Sequence, residues 1–183
     1  MSNVRPHEVP LMRLRLPQSQ IGRYADLYSY PREETELLGL RGSVASAGSL
    51  LKHELRLLAK WKSPRSAGHI EDNTEGYVGE ITSFALSAKD ERARVEVLTL
   101  LSGVLWPTAS VILHLFHSER YPILDYRALW SVSTEVPAQY SFKFWWQYVI
   151  FCRAVADKAN VSMRVLDRAL WQYSKLHQPN RDA

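Results

Sequence analysis

One cysteine, Cys152, is the only thiol in this 183-residue chain, which excludes a disulfide framework, a cysteine-cage zinc site and a four-cysteine iron–sulfur cluster. A lone thiol suits a reducing compartment, so a cytoplasmic protein is expected. Long apolar runs are missing as well. The most apolar stretch, residues 104–116, falls short of the roughly 18 residues of a membrane span, and the residues after Met1 include no apolar run of signal-peptide type. No membrane partner is expected. No stretch alternates apolar and polar residues at hairpin spacing, which argues against β-structure. No Walker loop, dinucleotide fingerprint or Gly-x-Ser-x-Gly elbow occurs. His114 and His117 stand three residues apart without a third ligand at zinc spacing, so neither metal nor other cofactor is expected. Internal repeats and low-complexity tracts are absent too.

What the chain does contain is aromatic and mildly basic. Six Trp, nine Tyr and five Phe bury much area per residue, while the indole and phenol groups still need polar partners, so some are expected to line a half-exposed pocket. Lys and Arg total 23 against 19 acidic residues, a net charge of +4, which permits a polyanionic partner. The length suits one hydrophobic core, or two lobes sharing a cleft.

Apolar periodicity reads as an all-α fold. Residues 1–18, with Pro6, Pro10 and Pro17, form an extended arm, and residues 19–183 form a single helical domain. Helices are expected at about 19–29 and 32–40, with a break around Gly39 and Gly42. The segment 49–62 is amphipathic: Leu51, Leu55 and Leu58 share one face, and Lys52, Arg56 and Lys60 share another. It ends at Trp61 and Lys62, ahead of Pro64 and Arg65. A loop at 66–73 precedes a helix at 74–88. Asp90 caps a helix running to about Leu101, and a helix at 107–117 leads through Pro122 to Asp125, which starts another helix reaching about Thr134. The last two helices span 141–159, apolar nearly all round and so expected at the centre, and 162–176.

The segment 95–130 carries the most specific signal. Two apolar helices joined through Leu101, Ser102, Gly103, Val104, Leu105, Trp106, Pro107, Thr108 and Ala109 can form a tight hairpin, with Gly103 in a left-handed or closely packed position. Amides at the start of the second helix then suit a DNA phosphate. Asp125 follows Pro107 by 18 residues. These residues resemble the helix–hairpin–helix DNA glycosylase superfamily, in particular its 8-oxoguanine-glycosylase-like branch, whose hairpin reads Leu-x-Gly-(Val/Ile)-Gly-x-x-(Thr/Val)-Ala and is followed about twenty residues on by an aspartate in a Pro-(Val/Ile)-Asp-like setting. Leu101, Gly103, Val104, Thr108, Ala109, Pro122 and Asp125 carry the match, with the motif spanning about 92–117. The second hairpin glycine is Leu105 here. The position of the Schiff-base lysine found in bifunctional members is Pro107, so the resemblance implies hydrolysis without strand cleavage. It also implies a compact two-lobed helical fold.

On this reading Asp125 is the catalytic residue, because breaking an N-glycosidic bond builds positive charge on the sugar that a fixed carboxylate stabilises. Helix capping is its plain alternative. Trp61, Tyr126, Trp130 and Trp145 are candidates for a base pocket, with core packing as the alternative for each. Gly103, Val104, Leu105, Thr108, Lys62, Arg65, Arg127 and the stripe Lys52, Arg56, Lys60 are candidate DNA contacts, although a charge stripe is often only the wet side of a helix. Lys62 is the one lysine that stands as a displaced lyase nucleophile. The expected function is a monomeric, monofunctional glycosylase that excises a modified base from duplex DNA, in repair or in defence against phage DNA with hypermodified bases. A noncatalytic DNA-binding module and a helical interaction protein are the alternatives.

Overall fold

A computed structural model describes residues 12–179, and among them there are ten α-helices and no strand. The helices are α1 (Ile21–Asp26), α2 (Arg32–Gly39), α3 (Arg41–Ala47), α4 (Lys52–Lys62), α5 (Glu75–Ser87), α6 (Glu91–Leu98), α7 (Trp106–Phe116), α8 (Tyr126–Ser131), α9 (Phe142–Ala159) and α10 (Met163–His177), with short 3-10 turns at Gln18–Gln20 and Ala67–Asp72. The all-α expectation holds for these residues.

Local chemistry sets the boundaries. Side chains of Thr74, Asp90, Asp125, Ser141 and Ser162 each accept a hydrogen bond from an amide of the helix they open, satisfying donors that lack an intrahelical acceptor. At the start of α4 the Glu54 carboxylate accepts instead from the backbone N–H of Leu51, at 2.9 Å. The break expected around Gly39 and Gly42 is slight: α2 ends at Gly39 and α3 begins at Arg41, with Leu40 between them still in the right-handed helical region; a second turn follows at Gly48, whose φ of 69° favours glycine. Left-handed Asn160 ends α9 in the same way. Three helices stop short of expectation, α1 already at Asp26. α6 gives way after Leu98 to amides bonded three residues back, Leu100 to Val97 and Leu101 to Leu98. Ser133, with φ of 58°, ends α8.

The core is centred on α7, where Thr108, Ala109, Ser110, Val111, Ile112, Leu113 and Leu115 are all buried. The sequence points to α9 instead. That helix buries one face through Phe144, Trp145, Tyr148, Val149, Cys152 and Ala156 and leaves Ile150 half exposed, so its opposite apolar face meets solvent. In α4, Leu55, Leu58 and Ala59 are buried, while Leu51 precedes the helix and is half exposed. Of the expected arm, residues 1–11 lie outside the described residues. Residues 12–17 form no helix and bend at Arg15 and Leu16, with the amides of Arg13 and Arg15 donating to the carbonyls of Val132 and Ser131 and Leu16 sealed in the core. Bonding to α8 holds this stretch in place.

Candidate functional site

Four chain segments converge on one cavity of about 340 Å³: the connection between α1 and α2, the C-terminus of α4, the N-terminus of α8, and one face of α10. Trp61 and Lys62 arrive from α4, Asp125 from the cap of α8, and Arg164, Asp167, Trp171, Gln172 and Lys175 from α10. Tyr28 closes the side formed by the α1–α2 connection.

Asp125 does two jobs at once. One carboxylate oxygen accepts the Arg127 amide at 2.9 Å and so caps α8; the other accepts Lys62 Nζ at 2.8 Å. Its side chain retains 20% exposure and that of Lys62 retains 9%. Burial pushes the Asp125 carboxyl up, but the Lys62 ammonium, the two hydrogen bonds and the Arg127 guanidinium outweigh it, so the pKa lies below its ordinary 3.8. At neutral pH the cavity therefore holds an anion that has kept access to solvent.

The stretch before Asp125 is extended and has no ladder to pair with, so its polar groups need side-chain partners. Pro122 has no N–H to satisfy. The Ile123 amide donates to Asp167 at 3.1 Å, the Leu124 amide to the Ser110 hydroxyl at 2.8 Å, and the Tyr148 hydroxyl donates to the Ile123 carbonyl at 3.2 Å. Helices α7, α9 and α10 thus each fix one polar atom of this short segment. Asp167 is held in turn by Arg164, which also pairs with the fully buried Glu34, and Glu34 accepts from the Tyr28 hydroxyl at 2.6 Å.

The remaining wall suits a flat ligand. The edge of Tyr28 meets the Trp171 ring at 5.3 Å, and Arg127 and Lys175 stand over Trp171 at 5.5 and 5.2 Å. Gln172 is only 7% exposed and lines the cavity, which brings a carboxamide to its wall.

Several expected site residues have other roles. Trp145 is sealed at 0% exposure, packed against Tyr121, Trp106, Phe142 and Trp146, because its position on α9 faces the core. Trp130 stacks on Tyr173 at 6.0 Å under the Arg15 guanidinium, and Tyr126 is 39% exposed beside Arg127; neither lines the cavity. Of the four pocket candidates only Trp61 does.

The hairpin between α6 and α7 is tight, and it is bolted from inside. Gly103 has φ of 81°, and a Cβ there would sit 2.7 Å from the Ser66 carbonyl oxygen. The glycine is required for close packing as well as for its turn. Asn73 holds Ser102 through both its amide and its carbonyl. Val104 and Thr108 are 1% exposed, and the Thr108 hydroxyl meets that of Ser63 at 3.2 Å. The side chains of Val104 and Thr108 therefore serve packing rather than an outside partner, whereas Leu105, 66% exposed, points outward beside the first turn of α7.

The basic stripe is largely satisfied internally. Lys52 and Arg56 both pair with Glu71, and Lys62 turns to Asp125 rather than to solvent. Lys60 and Arg65 are exposed; Arg127 lies between Tyr126 and Trp171. The sequence reading missed the α10 wall. Its signal was available: Arg164, Asp167, Trp171 and Lys175 fall at i, i+3, i+7 and i+11, one stripe of a helix. Among the described residues no three His, Cys, Asp or Glu side chains converge to hold a metal, and no helix is long and apolar enough to cross a membrane. No protein-family model, curated protein or solved structure matches the chain.

Proposed function

We propose that the protein is a DNA N-glycosylase that accepts a modified base, flipped out of a duplex, into this cavity and hydrolyses its bond to the sugar to leave an abasic site. The observation that carries the reading is Asp125: an ionised carboxylate, fixed by two hydrogen bonds, at the edge of a nucleotide-sized cavity walled by indoles. As the glycosidic bond breaks, the electron pair leaves with the base and positive charge collects on the sugar ring. A preorganised carboxylate stabilises that charge and orients the attacking water. Trp61 and Trp171 provide surfaces for stacking, and the carboxamide of Gln172 offers a donor and an acceptor to a base edge.

On this reading the α6–α7 pair acts as a helix–hairpin–helix element. The first amides of α7, which have no acceptor within the helix, face a DNA phosphate beside outward-pointing Leu105, and Lys60 and Arg65 supply further phosphate contacts. Duplex DNA is thus the partner, bound across a cleft between helical lobes, in repair or in defence against phage genomes with hypermodified bases. The test is to incubate the protein with duplexes and phage DNA carrying different base modifications and to measure released free base by mass spectrometry. Release is expected from at least one substrate and is expected to vanish in Asp125→Asn, which keeps the cap. Salt-dependent duplex binding without release would instead leave a noncatalytic DNA-binding module.

A second reading has its own observation. Lys62 Nζ lies in the cavity at 2.8 Å from Asp125, so the amine, once deprotonated, can attack the sugar carbon in place of water. The new carbon–nitrogen bond forms as the base departs, ring opening yields an imine, and elimination then cuts the strand. Borohydride reduction decides between the two: a covalent protein–DNA adduct that Lys62→Gln abolishes supports the amine, and free base without adduct supports hydrolysis.

A further inference from the structure

We infer that Asp167 is a positioning residue for Asp125: held by Arg164, it anchors the backbone of the segment that aims the Asp125 carboxylate into the cavity. The catalytic half of this inference rests on the glycosylase reading; the positioning half does not. Asp125 sits at the end of an extended stretch, where each backbone polar group left unpaired would free the segment to shift. Asp167 Oδ1 accepts the Ile123 amide, two residues before Asp125, while Oδ2 accepts from Arg164 Nη1 at 3.3 Å. Arg164 is locked in its turn by Glu34, a carboxylate with no solvent exposure, and Glu34 by the Tyr28 hydroxyl. A chain of four side chains therefore runs from the α1–α2 region across α10 to the backbone that carries Asp125. Asp167 is itself 7% exposed and its bond to the Ile123 amide is buried, so solvent offers no substitute acceptor of equal geometry.

The geometry separates two roles that one deletion would confuse. Asp167→Asn and Asp167→Ala both remove the negative charge, but only the asparagine keeps an oxygen where the Ile123 amide needs one. Since both also lose the acceptor that faces Arg164, the difference between the two variants reads the bond to the Ile123 amide. A displacement of about 1 Å in a reacting group can lower a rate by roughly 100-fold, so Asp167→Ala is expected to reduce kcat for base release by tens-fold or more with KM little changed. Asp167→Asn is expected to restore most of that loss. A loss confined to KM, or an equal kcat loss in both variants, overturns the inference.

A second readout needs no activity. The Asp125 carboxyl, followed by ¹³C NMR, is expected to titrate at higher pH in Asp167→Ala than in Asp167→Asn, because a displaced carboxylate loses part of its contact with Lys62 and the Arg127 amide. Identical titrations in the two variants would refute the positioning role even if no base is ever released. Conversely, a titration difference in a protein that releases no base keeps the positioning role and rejects the glycosylase reading. If Asp167→Ala does not fold, Asp167→Ser, whose hydroxyl is one bond too short to reach the amide, replaces it in both measurements.

Discussion

Two aromatic regions share this molecule and behave oppositely. Around Trp145, the rings of Tyr121, Phe142, Trp106 and Trp146 lie 5.7–6.2 Å from its own, the indole is fully sealed, and its ring nitrogen has no hydrogen-bond partner among the described residues. Around Trp171 a single ring, Tyr28, is joined by cations and a polar group, Arg127, Lys175 and Gln172, and one side stays open to the cavity. The difference shows that ring composition does not mark a site. What marks it is charge kept next to rings that packing leaves uncovered, since burying a charge costs stability unless it is paired.

The sharpest way to break this contrast is to delete both indoles. Trp145→Ala is expected to cost about 3–5 kcal/mol, the usual range for a large core aromatic whose site cannot collapse. Trp171→Ala, already facing a cavity, is expected to cost about 1 kcal/mol, near the centre of the general distribution. Urea denaturation of the two variants measures both, and equal losses would erase the distinction between a sealed cluster and an open wall.

A smaller effect is expected where the hairpin braces the segment that follows Lys62. Gly103→Ala would place its Cβ 2.7 Å from a backbone oxygen at φ of 81°, so the Ser66–Ile70 stretch would have to move; about 2–3 kcal/mol is expected. Gly48→Ala has the same sign of φ but open space around it, and about 1 kcal/mol is expected. Thermal melts of the pair separate the steric contribution from the conformational one. If the two losses match, Gly103 serves its turn only and does not brace the wall behind Lys62.

Much of this architecture was legible in the sequence, and the exceptions have physical causes. Caps at Thr74, Asp90, Ser141 and Ser162 follow from local hydrogen bonding, so the helices they open start where expected. Glycine at 103 and aspartate at 125 likewise made the left-handed turn and the capped helix start readable. What could not be read is which face each helix turns inward. Helix α9 carries apolar residues on more than one face, so its sequence could not tell which side is covered, and Trp145 became a pocket candidate only by composition. The α10 wall failed in the opposite sense. Its polar stripe reads as a wet face until α1, α2 and α8 are packed against it. Lys62 and Lys52 differ by long-range partners alone, Asp125 and Glu71, which no local pattern specifies.

The open region should also be the one that titrates. A carboxyl whose folded pKa is held below its ordinary 3.8 contributes stability that is complete above that value and is lost as pH falls through it towards the folded-state value. The stability gap between the parent protein and Asp125→Asn is therefore expected to narrow below about pH 4, while the gap produced by Trp145→Ala stays constant. Urea denaturation at several pH values from neutral downward provides the check. A gap for Asp125→Asn that stays flat with pH would mean that the Lys62 pair does not hold the acid ionised.

The smallest expected effect concerns two lysines on the same helix. Lys52 and Arg56 share Glu71, whose side chain is 53% exposed, where water screens the attraction and side-chain entropy opposes it. A double-mutant cycle on Lys52 and Glu71 is expected to give a coupling of about 0.5 kcal/mol or less, falling further as salt is raised. The Lys62–Asp125 pair, with side chains 9% and 20% exposed, is screened less, so its coupling should be larger and less sensitive to salt. Similar couplings with similar salt dependence would place both lysines in the same solvent-like environment. The cavity would then lose the property that distinguishes it from the rest of the surface, a charge pair sheltered enough to keep a carboxylate ionised yet open enough to meet a ligand.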